Sequence, residues 1–153
     1  MVLDIAKDAQ TGMTEFDYKP CQFIRSYNPY PDIQPGEIEE AARLINQSRK
    51  PFILAGQGVV ISHAEKELSE LAEKADIPVG CTLLGLSAIP TDHPLYKGML
   101  GMHGSIAANI KTNECDLLIA IGMRFDDRVT GDLKQYARQA KVIHIYELLW
   151  LVG

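Results

Sequence analysis

The chain has 153 residues, of which 46% are hydrophobic and 23% charged, a composition ordinary for one globular domain. A formal net charge of −5 supplies no basic face of the kind that nucleic-acid binding usually needs. Three cysteines, Cys21, Cys81 and Cys115, are odd in number and lack C-x-x-C spacing, so neither a disulfide framework nor a zinc site is expected and a reducing cytosol is the simplest compartment.

Val2-Leu3-Asp4-Ile5 reads as the end of a strand, and residues 7–35, polar and rich in Pro and Tyr, read as a linker over a surface. Ile38, Ala41, Ala42 and Ile45 fall at helical spacing and predict an amphipathic helix over residues 36–49, with Pro35 in its first turn. A strand over 52–55 leads to a Gly56-Gln57-Gly58 turn. Ser62-x-x-Glu65 then predicts a capping box at the head of a helix burying Ala64, Leu68, Leu71 and Ala75. A short strand at 78–82 and a Pro-bearing loop follow. A small-residue helix at 105–112 and strands at 117–121 and 142–145 complete the order. Residues 148–152, the longest apolar run near the C-terminus, are too few to cross a bilayer, and no secretion signal is read, so no membrane partner and a cytoplasmic location are expected.

Strands that are apolar throughout, alternating with helices, predict an α/β fold: a Rossmann-like doubly wound parallel sheet with helices on both faces. In such a sheet ligands bind beyond the carboxyl ends of the strands. Gly56-Gln57-Gly58, Thr82-Leu83, the stretch GMLGMHG at 98–104 and GMRFDDRVTG at 122–131 all fall at that edge. Glycines permit close backbone approach, and the helix beginning near Ser105 is expected to present free N–H groups to an anion. Arg124 and Arg128 suit phosphate oxygens, with Asp126 and Asp127 holding the guanidiniums or facing another domain. The alternative is a set of solvated ion pairs, each worth under about 1 kcal/mol. No P-loop, nucleophile elbow or metal-ligand spacing occurs. His63 reads as solvent-facing and His144 as packed and hydrogen-bonded, and His103 alone lies in a candidate ligand loop. Residues alone thus reach a nucleotide-type ligand site.

GMLGMHGSIAANIKTNECDLLIAIGMRFDDRVTG, with KPFILAGQGV and IPVGCTLLGLSAIP upstream, closely resembles the middle domain of the acetohydroxyacid (acetolactate) synthase catalytic subunit, and the similarity runs from Val2 to about Ile145. The resemblance implies a thiamine-diphosphate transferase of branched-chain amino-acid biosynthesis, which condenses two pyruvates or pyruvate and 2-oxobutyrate. It implies FAD bound in this domain without an electron-transfer role, and thiamine diphosphate and Mg²⁺ bound by neighbouring domains. A homo-oligomer and a regulatory small subunit are implied as partners. Gly56, Gln57 and Gly58 would face the sugar-phosphate region of the cofactor. Thr82, Leu83, Leu100, Gly101, Met102 and His103 would line the flavin end, and Gly122, Arg124, Arg128 and Val129 would complete the cradle. Arg25 resembles a linker arginine sent to the cofactor, and Met102, Asp127 and Arg128 match positions at a substrate channel or domain interface. No catalytic or metal-binding residue is implied here, and the chain alone is expected to be inactive.

The expected organisation is a remnant of a preceding domain and linker over 1–34, a cofactor-binding domain over 35–146 and an atypical tail over 147–153. After Ile145 the chain departs from the family pattern: Tyr146 stands where an acidic cofactor contact is expected, which fits a truncated or frameshifted gene. The alternatives are a sister thiamine-diphosphate enzyme of glyoxylate carboligase or pyruvate oxidase type, or a stand-alone nucleotide-binding module.

Overall fold

The computed structural model describes residues 5, 7–20, 36–132 and 134–145. The expectations placed on residues 2–4, on Arg25 and Pro35, and on the tail fall outside those residues. The elements in chain order are α1 (Lys7–Thr11), α2 (Glu37–Gln47), β1 (Pro51–Ala55), α3 (Gln57–Ile61), α4 (Glu65–Ala75), β2 (Val79–Cys81), a 3₁₀ turn (Leu83–Gly85), β3 (Tyr96–Met99), α5 (Ile106–Glu114), β4 (Leu117–Ile121), α6 (Asp127–Thr130) and β5 (Lys141–Ile145).

The five strands form one sheet in the order β3-β2-β1-β4-β5, and every pairing is parallel. β1 aligns Pro51 through Ala55 with Leu117 through Ile121 of β4, residue for residue. Both strands are buried on both faces, which explains their unbroken apolar sequences. Alternate residues part to the two sides. Ile53, Ala55, Leu117 and Ile119 pack on one face with Val59 of α3, Leu68 and Ala72 of α4, and Ala88 and Ile89 of the connection to β3. Phe52, Leu54, Leu118 and Ala120 pack on the other with Ala108 of α5, Met123 and Ala137. The helical layers on both faces are therefore those the sequence predicts.

Local differences have local causes. The capping box at Ser62 does not form: Ser62 Oγ donates backwards to Gly58 O (2.7 Å), closing α3, and α4 starts from Ala64 without a side-chain cap. His63 lies in the turn between those helices at φ 56°. In α2, Leu44 and Ile45 meet the core while Ile38 stays 64% exposed. Strand β3 carries no apolar run. It joins the sheet edge through an irregular register with β2 and is only partly buried on either side.

At the amino edge of the sheet, the Asp116 carboxylate accepts from the Ser48 hydroxyl and from the Arg49 and Lys50 amides (2.8 and 3.0 Å). Its backbone continues the tie, donating to Lys50 O and accepting from Lys141 N. One aspartate thus pins the entries to β1, β4 and β5 in register.

Candidate functional site: a cleft at the switch point of the sheet

The chain order of the strands reverses between β1 and β4. β2 and β3 extend the sheet to one side of β1, and β4 and β5 extend it to the other. Crossovers diverge at such a point, leaving a crevice beyond the carboxyl ends of the strands. Here the two diverging backbones touch. Gly56 N–H donates to Ile121 O (2.9 Å) and Gly58 N–H to Gly122 O (2.8 Å). A Cβ on Gly58 would stand 2.6 Å from Gly122 Cα, so side chains are excluded from the crossing.

Above it lies a cleft of about 760 Å³, lined by Gln57, Gly58, Ile61, Thr82, Leu83, Leu84, Met99, Leu100, Met102, His103, Gly122, Met123, Arg124, Asp126, Arg128 and Val129. This volume lies in the usual range for small-molecule and cofactor sites, and the mixture of apolar walls with a few polar groups is typical of them. Leu83, Leu84 and Met102 are 67%, 65% and 72% exposed, an apolar mouth with no cover among the described residues.

Backbone hydrogen bonds fix the walls. Leu100 N–H donates to Cys81 O (3.0 Å), tying the 100–104 loop to the end of β2, and Met102 N–H donates to Arg128 O (2.9 Å), tying it to α6. Asp126 shapes the arginine loop. Its Oδ1 accepts from the Arg128 and Val129 amides (3.1 Å each), capping α6, while Oδ2 stands 3.5 Å from Arg124. Phe125 turns inward, edge-on to Tyr136 and to His144, with ring centroids 6.4 and 5.2 Å away. His144 Nε2 lies 2.9 Å from Met123 O. A carbonyl only accepts, so Nε2 carries the proton in this contact. His144 is therefore a hydrogen-bonded support beneath the loop, as its place in a strand suggests.

The structure brings together, in one cleft, Gln57, Gly58, Thr82, Leu83, Leu100, Met102, His103, Gly122, Arg124, Arg128 and Val129. Gly56 and Gly101 stand behind the wall instead: Gly56 is buried in the crossing, and Gly101 closes against Arg128 O, which a Cβ would meet at 2.8 Å. Asp127 belongs to α6, and Arg25 is outside the described residues. Ile61, Leu84, Met99, Met123 and Asp126 also line the cleft. The apolar four look like core residues in sequence; adjacency to Thr82-Leu83 and Gly122 is the signal that points to Leu84 and Met123. The start of α5 is not part of the cleft. Ser105 Oγ accepts the Ala108 amide, and Gly104 and Ile106 line a separate shallow groove with Asn109, Ile110, Asn113 and Glu114. Ser105 caps the helix, whose N-terminus lies outside the cleft that Arg124 and Arg128 line.

The sequence profile described as "Thiamine pyrophosphate enzyme, central domain" matches residues 38–147. The chain belongs to this family. It is 49% identical over 146 residues to the probable acetolactate synthase large subunit of Methanocaldococcus jannaschii, covering 94% of this chain and 25% of that protein. It is 42% identical over 151 residues to the acetolactate synthase large subunit of Cyanidium caldarium (95% and 26% covered), and 42% over 144 residues to that of Corynebacterium glutamicum (94% and 23%). The chain spans about a quarter of the length of the curated relatives it matches. Within this thiamine pyrophosphate enzyme central domain, no three His, Cys, Asp or Glu side chains cluster to hold a metal ion among the described residues. None of its described helices is long and apolar enough to cross a membrane. Cys81 and Cys115 are buried, and burial pushes both thiols up to about 11, which leaves them unreactive packing groups.

Proposed function

We propose that this chain is the central domain of an acetolactate synthase large subunit and that its cleft holds FAD in an extended form. One observation carries the reading: the cleft at the switch point joins apolar walls to two arginines over a glycine crossing. That combination suits an elongated ligand with a flat apolar ring at one end and a diphosphate along its length. Arg124 and Arg128 match the diphosphate in charge, Leu83, Leu84, Leu100 and Met102 offer the ring an apolar surface, and the bare backbone at Gly58 and Gly122 admits the ligand closely. The residues present therefore fit the group. When bound it fills and rigidifies the mouth of this domain; nothing in the reading asks it to carry electrons.

The same reading places the condensation of two pyruvates, or of pyruvate with 2-oxobutyrate, in a longer cytoplasmic enzyme. Thiamine diphosphate and Mg²⁺ belong to its other domains, and a homo-oligomer and a regulatory small subunit are its partners. Support comes from relatives about four times as long and named as acetolactate synthase large subunits. The chain alone is then expected to make no acetolactate from pyruvate with thiamine diphosphate, Mg²⁺ and FAD supplied.

Titration of the purified chain with FAD, followed by flavin fluorescence with ADP and NAD as competitors, tests the assignment. Saturable binding that prefers FAD and falls about tenfold or more on R124A or R128A supports it, each substitution removing one charge-assisted contact. A folded chain that binds NAD or ADP as tightly as FAD, or whose FAD affinity is unchanged in both R124A and R128A, refutes it.

A further inference from the structure

The 100–104 loop carries Met102 and His103 into the cleft, yet it has little regular structure of its own, and Gly101 sits at φ 101°. Backbone bonds from Leu100, Met102 and Gly104 hold the loop at its two sides, and Gly101 itself is held by one side chain. Asn109, the part-buried fourth residue of α5, reaches back to Gly101 with both ends of its amide: Oδ1 accepts the Gly101 N–H at 3.0 Å and Nδ2 donates to Gly101 O at 3.0 Å. This is the pattern of an antiparallel strand pair, made by a side chain against one backbone residue. Only asparagine offers a donor and an acceptor at this length. Aspartate lacks the donor, serine is too short to fork, and glutamine carries an extra methylene.

We infer that Asn109 is the positioning residue of the cofactor cleft, setting the 100–104 loop for a ligand that Asn109 itself does not line. This rests on the FAD reading for the ligand, though the clamp itself rests only on geometry. Among the described contacts, Asn109 alone holds both backbone polar groups of Gly101 from a side chain. Gly101 cannot be replaced as the anchor, because its left-handed backbone and its approach to Arg128 O leave no room for a side chain. Met102 N–H donates to Arg128 O (2.9 Å), a backbone contact only, and the segment bearing the arginines is shaped separately by the Asp126 cap on the Arg128 and Val129 amides. The polar end at Gln57 and Gly58 hangs on the β1–α3 connection, remote in sequence and tied instead to Gly122. Loosening the clamp therefore disturbs the apolar wall and spares the glycine crossing.

A general structural role predicts a different result, and α5 makes the two separable. Alanine is the better helix former, so N109A leaves α5 as stable as before or more so. The test combines hydrogen exchange with ligand titration on the 153-residue chain, comparing wild type, N109A and N109D. Positioning predicts that the Gly101 and Met102 amides of N109A exchange at least about tenfold faster while the helix amides keep their protection, from the loss of two hydrogen bonds. It also predicts FAD affinity down about tenfold with ADP affinity changed less than about twofold, N109D falling at least as far because its carboxylate faces Gly101 O. Unchanged loop exchange in N109A overturns the clamp. Faster exchange with equal losses for FAD and ADP overturns the positioning of one wall. If wild type binds no FAD, the functional reading fails with it, while the exchange result still decides whether Asn109 holds the loop.

Discussion

Gly122 and Gly131 share a backbone angle, φ 59°, and differ in what surrounds them, which makes them a matched pair. A Cβ on Gly131 meets nothing within 4 Å, whereas on Gly122 it stands 2.6 Å from Val59 N and 2.7 Å from Gly58 Cα. Left-handed backbone costs a non-glycine residue about 1–2 kcal/mol, offset by about 0.4–1 kcal/mol from the stiffer unfolded chain. G131A should therefore destabilise the chain by about 1 kcal/mol. G122A bears the same charge and adds overpacking against backbone, which cannot rotate away as a side chain can, for about 2 kcal/mol more. In a domain of this size that difference corresponds to about 4–8 °C in Tm. Urea and thermal unfolding of both variants, followed by circular dichroism, measure it. Equal losses in the two would mean that the β1–α3 and β4 backbones do not cross closely, and the floor of the cleft would have to be redrawn.

Two further substitutions test parts of the same framework. Burial alone raises the Asp116 carboxyl, but the Ser48 hydroxyl and the Arg49 and Lys50 amides outweigh it and hold the pKa below the ordinary value. A lowered folded-state pKa contributes stability above the unfolded value of about 3.9 that is lost as pH falls through the folded one, so D116N should cost about 1–2 kcal/mol near neutrality and progressively less below about pH 4. A pH-independent difference between the two proteins in urea unfolding would refute this. The Tyr136 hydroxyl is buried without a hydrogen-bond partner among the described residues, and burial, with the nearby Cys115, raises its pKa. Y136F should raise stability by about 1 kcal/mol in the same assay, and a loss would reveal a partner for the hydroxyl.

Sequence reading succeeds in this chain where a residue's character is set by its own element. β1 and β4 are apolar because both faces are covered, and β5 ends at His144 and Ile145 as its pattern indicates. It fails where character is borrowed from elsewhere. Tyr96-Lys97-Gly98-Met99 has neither alternation nor an apolar run, and becomes a strand because β2 offers it an edge. Ser62-x-x-Glu65 has the letters of a capping box, but α3 ends within reach of the same hydroxyl and takes it first. In the cleft, the glycines of the crossing are legible because close backbone approach needs that residue type, and Arg124 and Arg128 lie at the sheet edge to which their place after β4 assigns them. Ile61, Leu84 and Met123 are not, since an apolar side chain reads the same whether it faces the core or a ligand. Asn109 belongs with them: its forked contact depends on a loop eight residues back lying against its helix.

The dense charge of GMRFDDRVTG resolves into separate tasks, and Asp126 shows the division. If its carboxylate mainly shapes the loop, through the cap on the Arg128 and Val129 amides, then asparagine, an equally good N-cap acceptor, should replace it. D126N would keep α6 and the loop, losing at most a few tenths of a kcal/mol, whereas D126A would lose about 1 kcal/mol with the cap. The Arg124 contact adds little to stability, being 3.5 Å long with the guanidinium 78% exposed. For a phosphate-bearing ligand the carboxylate is a like charge at the rim, so D126N should bind it as well as wild type or up to about threefold tighter, and D126A more weakly through a disordered loop. Measured together, unfolding and FAD titration separate the two tasks. If D126N lost as much stability and affinity as D126A, the negative charge itself would be required. Arg124 would then be a residue held by Asp126 rather than one offered to the ligand.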